Sequence, residues 1–491
     1  MTGPDRQLAA HRHLLIVAAV LVACLVAVSG RYGYHRDELY FILLGGHPQW
    51  GYVDQPPLIP LLAHATHVLF DGSLVGFRLP SALVAGATAY VTGLIAREFG
   101  AGARGQVFAA VAWAISAVTL ATGHLMGTTS FDLLCWALVC WAGVRALRDG
   151  GRAWLWVGLA AGVGMEVKTL IATGLLALLI GVAAAGPRRA LASPRLWLGA
   201  LLALVLAAPN LWWQAANDWP QLEMSSQIAA GESGTSEPRS LFLPFQIVLL
   251  SAFLVPVWTI GWWRLARSAD LALWRAFAVA YVVLAAFLIA TGGKPYYLCG
   301  MYPVLLAAGA QPVVDWAAQA RVRVVALAAA LVLTVAGNAY LMLPLLPPGD
   351  VAGSPVEEIN YDAGEQIGWP GFADTFEAAY AELPTAERPR TVVLTANYGQ
   401  AGAVSRYTSL PVYSGHNSLR TLGPPPERYD VVLAVGYPQT ALGDWFGSCD
   451  EVGRTPTPYG LENDEADTPV YVCRDLSGSW RDLWPEMERT A

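Results

Sequence analysis

The sequence predicts a polytopic α-helical membrane protein of about eleven transmembrane helices, closed by a small C-terminal α/β domain. Three observations carry this. Of 491 residues, 55% are hydrophobic and only 14% charged, where soluble domains carry roughly 25% charged residues. Apolar runs suited to a roughly 30 Å hydrocarbon core recur along the first two thirds of the chain. The basic residues between those runs alternate by side, and after Pro347-Pro348 the composition turns polar.

In order, the spans fall at 14–30, 75–96, 106–122, 129–146, 154–167, 169–185, 196–213, 241–262, 272–290, 296–314 and 323–345. The first follows Arg6 and Arg12 as a signal-peptide core would. It lacks a small-x-small site leading into a soluble chain, so it reads as an uncleaved helix. With the N-terminus inside, fifteen arginines from Arg6 to Arg323 lie on inner segments. Outer segments before the tail hold only Arg31, Arg36, Arg78, Lys168, Arg239 and Lys294. Basic residues favour the cytoplasmic side over short loops, and an odd span count puts the tail outside. The expectation is a plasma-membrane protein with a cytoplasmic N-terminus, a membrane domain at 1–346 and an extracytoplasmic domain at 347–491. Runs at 391–396, 429–435 and 469–473 read as buried strands, alternating with helical patterns at 372–383 and 399–407.

Composition also narrows the function. A net charge of −7 argues against a nucleic-acid partner. No internal repeat is visible, so the inverted-repeat pattern of secondary transporters is missing. Cys24, Cys135, Cys140 and Cys299 lie in apolar stretches, where free Cys acts as a small hydrophobe. Cys449 and Cys473 lie beside strand-like runs of a domain expected in an oxidising compartment, and a disulfide between them is expected. With 23 intervening residues, it would contribute about 3 kcal/mol in the chain-entropy model.

Chemistry concentrates in the first outer loop, 31–73. His35, Arg36, Asp37, Glu38 and Asp54 stand among Tyr40, Trp50 and Tyr52, and Pro56-Pro57 stiffens the backbone beside Asp54. An interfacial aromatic belt is one reading. The other is a set of carboxylates placed to take a proton from an acceptor hydroxyl. The fourth outer segment adds Trp219, Glu223, Glu232 and Glu237. His124 ends the third span. Asp132, at the outer end of the fourth, is either a helix N-cap or a functional boundary charge. Only Lys168 and Lys294 interrupt the use of arginine, and both fall at outer membrane ends. Lys is a compact point charge suited to a phosphate, although a snorkelling lysine is the plainer alternative. Glu166 and Lys168 could equally be a local ion pair.

These residues together resemble the protein O-mannosyltransferase and lipid A aminoarabinose transferase family of C-type membrane glycosyltransferases. The specific parts are Arg36-Asp37-Glu38-Leu39-Tyr40, Gly51-Tyr-Val-Asp54-Gln-Pro-Pro57, Arg78-Leu-Pro-Ser81, Ala208-Pro-Asn-Leu-Trp-Trp-Gln214 with Asp218-Trp-Pro220, and Lys294-Pro-Tyr-Tyr297. Gln55 stands where the family carries a lysine, which throws more weight on Lys294 and Arg78. Asn397-Tyr-Gly-Gln-Ala-Gly402 and Tyr413-Ser-Gly-His-Asn-Ser418 look like the soluble domain of a bacterial subgroup.

The resemblance implies the C-type glycosyltransferase fold and inverting transfer from a polyprenyl-phosphate sugar donor, mannosyltransferase-like in kind. The acceptor would be an extracytoplasmic glycan, lipid or protein hydroxyl. Asp37, Glu38 and Asp54 would be catalytic, and Lys294, Arg78 and Lys168 would bind the donor phosphate. His35, Arg36, Tyr40, Gln55, His124, Asp132 and Tyr297 would line the substrate site. A divalent cation stays open. The competing functions are a transporter or flippase of lipid-linked sugar, a polysaccharide ligase, and a sensor with an outer domain.

Overall fold

The computed structural model describes residues 3–231, 238–461 and 463–490, so Glu232 and Glu237 lie outside the described residues. The chain divides into a membrane unit (Met1–Ser29, Arg78–Trp219 and Ile228–Leu343) and a second unit (Gly30–Phe77, Pro220–Gln227 and Pro344–Ala491). The polar segment begins at Pro344, beside the expected boundary. The first loop, 30–77, groups with the tail. Buried polar groups of the loop find partners in the tail, as Tyr40 and Asp54 do at Ser418.

Among the described residues, seven helices are long and apolar enough to cross a membrane. Two bent pairs, Ala103–Ala114 with Ala117–Gly123 and Arg239–Leu250 with Ala252–Arg267, raise the number to nine if each pair is one span. The other two expected spans are Ala153–Val167 and Ile171–Ala185, apolar but only 15 residues each. At 1.5 Å per residue they measure about 22 Å, short of the core thickness. By length and composition, seven to nine of the eleven expected spans pass among the described residues.

The bent pairs break at 59° and 88°, which strips carbonyls of their helical partners where no water can replace them. One side chain mends both breaks. Asn338, on the helix Arg321–Met342, donates from Nδ2 to Ile115 O at 2.8 Å and to Leu250 O at 2.9 Å. Trp136 is 1% exposed, and its ring fits only because Gly174 and Gly300 lack side chains. A Cβ on either would stand within 1.6 or 2.3 Å of the indole.

The second unit is built from ten elements that matter here. They are α1 (Arg36–Gly45), α2 (Leu58–Leu69), α3 (Trp369–Glu382), β1 (Thr391–Thr395), α4 (Tyr398–Tyr407), β2 (Val412–Tyr413), β3 (Val431–Val435), β4 (Phe446–Arg454), β5 (Pro469–Leu476) and α5 (Trp480–Met487). The sheet order is β2-β1-β3-β5-β4. β2, β1 and β3 run parallel, while β5 is antiparallel to both β3 and β4. β1 and β3 are buried at every position, as their unbroken apolar runs require. β4, marked in the sequence only by the strand-like flank of Cys449, is an edge strand whose side chains are mostly exposed and polar. Cys449 and Cys473 stand directly opposite in the β4–β5 register and form a disulfide. The first loop shares the tail's interior: Tyr32 packs with Val351, Val356, Ile367 and Leu461, and its hydroxyl donates to Leu346 O at 3.0 Å.

Candidate active site

Two helix starts build the first cluster. α1 opens on a capping box: His35 Nδ1 accepts from Asp37 N at 3.2 Å, and Glu38 Oε2 accepts from His35 N at 2.8 Å. α4 opens on another, with Asn397 Oδ1 accepting from Gln400 N at 2.9 Å and Gln400 Oε1 from Asn397 N at 3.3 Å. Such boxes satisfy donors that a helix start leaves bare, and they fix the residues just inside. Those residues are Asp37 and Tyr398. α4 packs on α1 at close range, where a Cβ on Gly402 would stand 2.8 Å from Leu39.

The contact that results is direct. Tyr398 Oη donates to Asp37 Oδ1 at 2.9 Å. The Tyr398 ring lies 4.5 Å from that of Tyr40 and stacks on His416 at 5.2 Å and 23°. Asp54 Oδ1 accepts from Tyr40 Oη at 3.1 Å and from Ser418 Oγ at 2.6 Å. Ser418 Oγ in turn accepts from Val53 N at 2.9 Å, and Ser418 N donates to Tyr40 Oη at 3.0 Å. Ser418 is fully buried. It follows Asn417 at φ +52°, a left-handed conformation that Asn tolerates better than most residues.

Burial drives the electrostatics. It raises Asp54, and the bonds from Ser418 and Tyr40 pull back only part of that, leaving its pKa at about 6. Burial, then the charges of Arg489 and Arg36, depress His416 to about 3. His416 is therefore neutral, and its Nδ1 accepts from Tyr398 N at 3.3 Å. The hydrogen sits on Nε2, a buried atom without a partner. Glu365 is raised to about 7 by burial, against the opposing pull of Arg36.

Several expected site residues are engaged within the protein. Glu38 is 0% exposed and committed to the cap. Arg36 uses Nη1 to bind Tyr361 Oη and Asp464, each at 3.1 Å, and Glu365 at 3.3 Å, with its guanidinium 5.0 Å above the Tyr398 ring. That makes it a tether between the first loop and the tail. His35 Nε2 lies 3.5 Å from Asp362. Gln55 Nε2, by contrast, is a buried donor with no partner. The segment 220–227 joins the same unit through Gln221 Nε2 to Tyr52 O at 3.3 Å and Glu223 to Arg420 at 3.7 Å.

A second cluster lies in the membrane unit. Lys168 caps Ala153–Val167 in extended conformation. Its Nζ stands 4.8 Å from the Tyr296 ring centre and 4.6 Å from that of Tyr297, and it interacts electrostatically with Asp132 and Lys294. Asp132 is buried within Thr128–Asp149, whose N-cap is Gly127, so the capping alternative falls. Lys294 is the N-cap of Pro295–Met301, with Pro295 at the first helical position as its fixed φ suits. No ion pair joins Glu166 to Lys168; Glu166 Oε1 is buried without a partner. Arg78 is fully buried and donates to Ser29 O at 2.5 Å, and His124 Nδ1 donates to Leu120 O of its own helix at 2.8 Å. Each thus makes at least one bond to backbone within the membrane unit. An apolar cavity of about 140 Å³ lies among Val139, Trp154, Gly158, Ala203 and Phe277; it has no polar lining with which to do chemistry. Among the described residues, no three His, Cys, Asp or Glu side chains are grouped to hold a metal ion.

The sequence reading passed over Tyr398, His416 and Ser418 as functional residues. The Asn397-x-x-Gln400 box was visible beforehand and marks Tyr398 as the first residue of a capped helix; nothing local singles out Ser418.

Residues 54–213 match the family model described as dolichyl-phosphate-mannose-protein mannosyltransferase. No curated protein matches the sequence. Among solved structures, ArnT from Cupriavidus metallidurans bound to undecaprenyl phosphate is similar over 93% of this chain and 97% of its own, at 16% identity and a TM-score of 0.62. Its apo form is similar over 94% and 97%, at 15% identity and a TM-score of 0.58. The oligosaccharyltransferase AglB from Archaeoglobus fulgidus, in complex with an inhibitory peptide and a dolichol-phosphate, is similar over 87% of this chain and 69% of its own. There the identity is 12% and the TM-score 0.52.

Proposed function

We propose, from the premise that this chain is a membrane protein with the C-type glycosyltransferase fold, that it moves a sugar from a polyprenyl-phosphate donor to a hydroxyl acceptor outside the cytoplasm, with inversion. The observation that carries the reading is the pair Asp37 and Asp54, set on one loop and each held through a single oxygen. In the transfer step the acceptor oxygen forms a bond to the sugar's anomeric carbon as the bond from that carbon to the phosphate oxygen breaks. The proton of the acceptor passes to Asp37, and the electron pair leaves with the phosphate. A phosphate leaving group needs no strong acid, so the larger demand is charge stabilisation. Lys168, with Lys294 beside it electrostatically, supplies that charge. Asp54 supports the acceptor side, and the unpartnered Gln55 Nε2 offers a donor to a sugar or acceptor oxygen.

The side of the membrane follows from the basic-residue bias. A reporter fused after Pro347 is expected to be active only outside the cytoplasm. For the chemistry, the purified full chain is incubated with undecaprenyl-phosphate-linked pentoses and hexoses, and free or transferred sugar is measured. Cleavage that depends on Asp37 supports transfer. Movement of intact lipid-linked sugar across vesicles without cleavage would instead identify a flippase.

A further inference from the structure

The tail's part in the reaction is not supplied by the loop chemistry alone. Every hydrogen bond the tail makes to the two proposed carboxylates falls on Oδ1: Tyr398 on Asp37, Ser418 on Asp54. A carboxylate has two oxygens, and binding one to the scaffold sets the direction of the other. We infer that Tyr398 and Ser418, both from the C-terminal domain, are positioning residues for the transfer step, fixing Asp37 and Asp54 so that their second oxygens serve the acceptor hydroxyl. The inference rests on the glycosyl-transfer reading above.

The surroundings favour positioning over simple packing. Ser418 is held from both sides, its hydroxyl accepting from Val53 N and donating to Asp54, and its amide donating to Tyr40. The hydroxyl therefore has no rotational freedom to spare, and its proton points at the carboxylate. Tyr398 is fixed by its capped helix, by the His416 ring beneath it and by Arg36 above. Each hydroxyl donates to a carboxylate oxygen, and hydrogen bonds to charged groups are the stronger kind. The groups whose charge or hydroxyl faces Asp54 are Asp37 and Tyr40 on α1, Tyr52 on its own loop, Tyr398 on α4 and Ser418 of the tail. Asp37 raises Asp54, while the Ser418 and Tyr40 bonds lower it. Loss of the Ser418 hydroxyl must then move Asp54 further up.

The test uses the full chain in detergent with undecaprenyl-phosphate-linked pentoses and hexoses, water serving as the acceptor. Ser418→Ala is expected to shift the acid limb of kcat/KM upward by about one pH unit, the equivalent of one charge-assisted bond. Ser418→Thr keeps the hydroxyl and returns the limb to its place. Tyr398→Phe keeps the ring and its stacking, and is expected to lower kcat about tenfold at constant KM, as loss of a transition-state interaction does. A purely structural role would reduce the folded fraction, leave the limb where it was, and give back the full kcat once turnover is counted per folded molecule, whereas the positioning role keeps the tenfold loss after that correction. Transfer that depends on Asp37 but is indifferent to both hydroxyls overturns this inference alone. Absence of any cleavage by the unaltered chain overturns the glycosyl-transfer reading, and this inference with it.

Discussion

Asp37 and Asp54 sit among hydroxyls, whereas Lys168 sits among aromatic rings. The carboxylates receive directed bonds of 2.6–3.1 Å from Ser418, Tyr398 and Tyr40, so each points one way. Lys168 faces two ring quadrupoles at 4.6 and 4.8 Å and the field of Asp132, attractions that constrain its place but not its angle. The contrast suits the proposed roles. A proton acceptor must meet one O–H within hydrogen-bond reach, while a cation facing a phosphate needs only to be near a diffuse negative charge.

Four measurements break or sharpen this contrast. The largest effect belongs to the directed side: Asp37→Asn keeps the shape and the Tyr398 contact but removes the charge, and turnover should fall by roughly 10²–10⁴. Near-normal turnover would remove Asp37 from the mechanism. On the diffuse side, Lys168→Ala should cost about 10²-fold in kcat/KM. Lys168→Arg should recover only part of it, because the broad fork does not fit between Tyr296 and Tyr297 as an ammonium does. Full recovery with Arg would make Lys168 a bulk charge and nothing more.

The third test is pH. Asp54, raised to about 6 by burial, is ionised above that value and protonated below it. The profile of kcat/KM should therefore be level above about pH 6 and fall roughly tenfold per unit beneath it, and a limb near pH 4 would break the link to Asp54. The smallest effect on rate comes from outside both clusters. Asn338→Leu leaves Ile115 O and Leu250 O unpaired and should cost about 1–3 kcal/mol of stability, read as earlier thermal unfolding in detergent, with kcat nearly unchanged.

Much of the fold was legible beforehand because it rests on periodicities the chain displays directly. The apolar runs announced the membrane helices, and the strands β1, β3 and β5 appeared through their runs at 392–394, 431–435 and 470–473. The same logic failed where hydrophobicity is not the signal. β4 is a polar edge, and Ala153–Val167 and Ile171–Ala185 are apolar without being long. In the site, residue type identified Asp37, Asp54, Lys168 and Lys294 as candidates. It could not separate Asp37 from Glu38, adjacent acids of which one meets Tyr398 and the other closes a helix cap. Nor could it show that Arg78 is fully buried with one guanidinium nitrogen on the Ser29 carbonyl.

The sequence by itself determined the class of the protein and the chemical inventory: apolar spans, basic bias, a polar tail and ionisable residues crowded into one loop. These depend on transfer free energies and charge, which act residue by residue. Tertiary structure alone decided which inventory items meet. Tyr398 lies 361 residues from Asp37 and Ser418 364 from Asp54, and no local pattern encodes such a pairing. A hydrogen bond of 2.6 or 2.9 Å exists only once two capped helices and a left-handed Asn have fixed both partners in space.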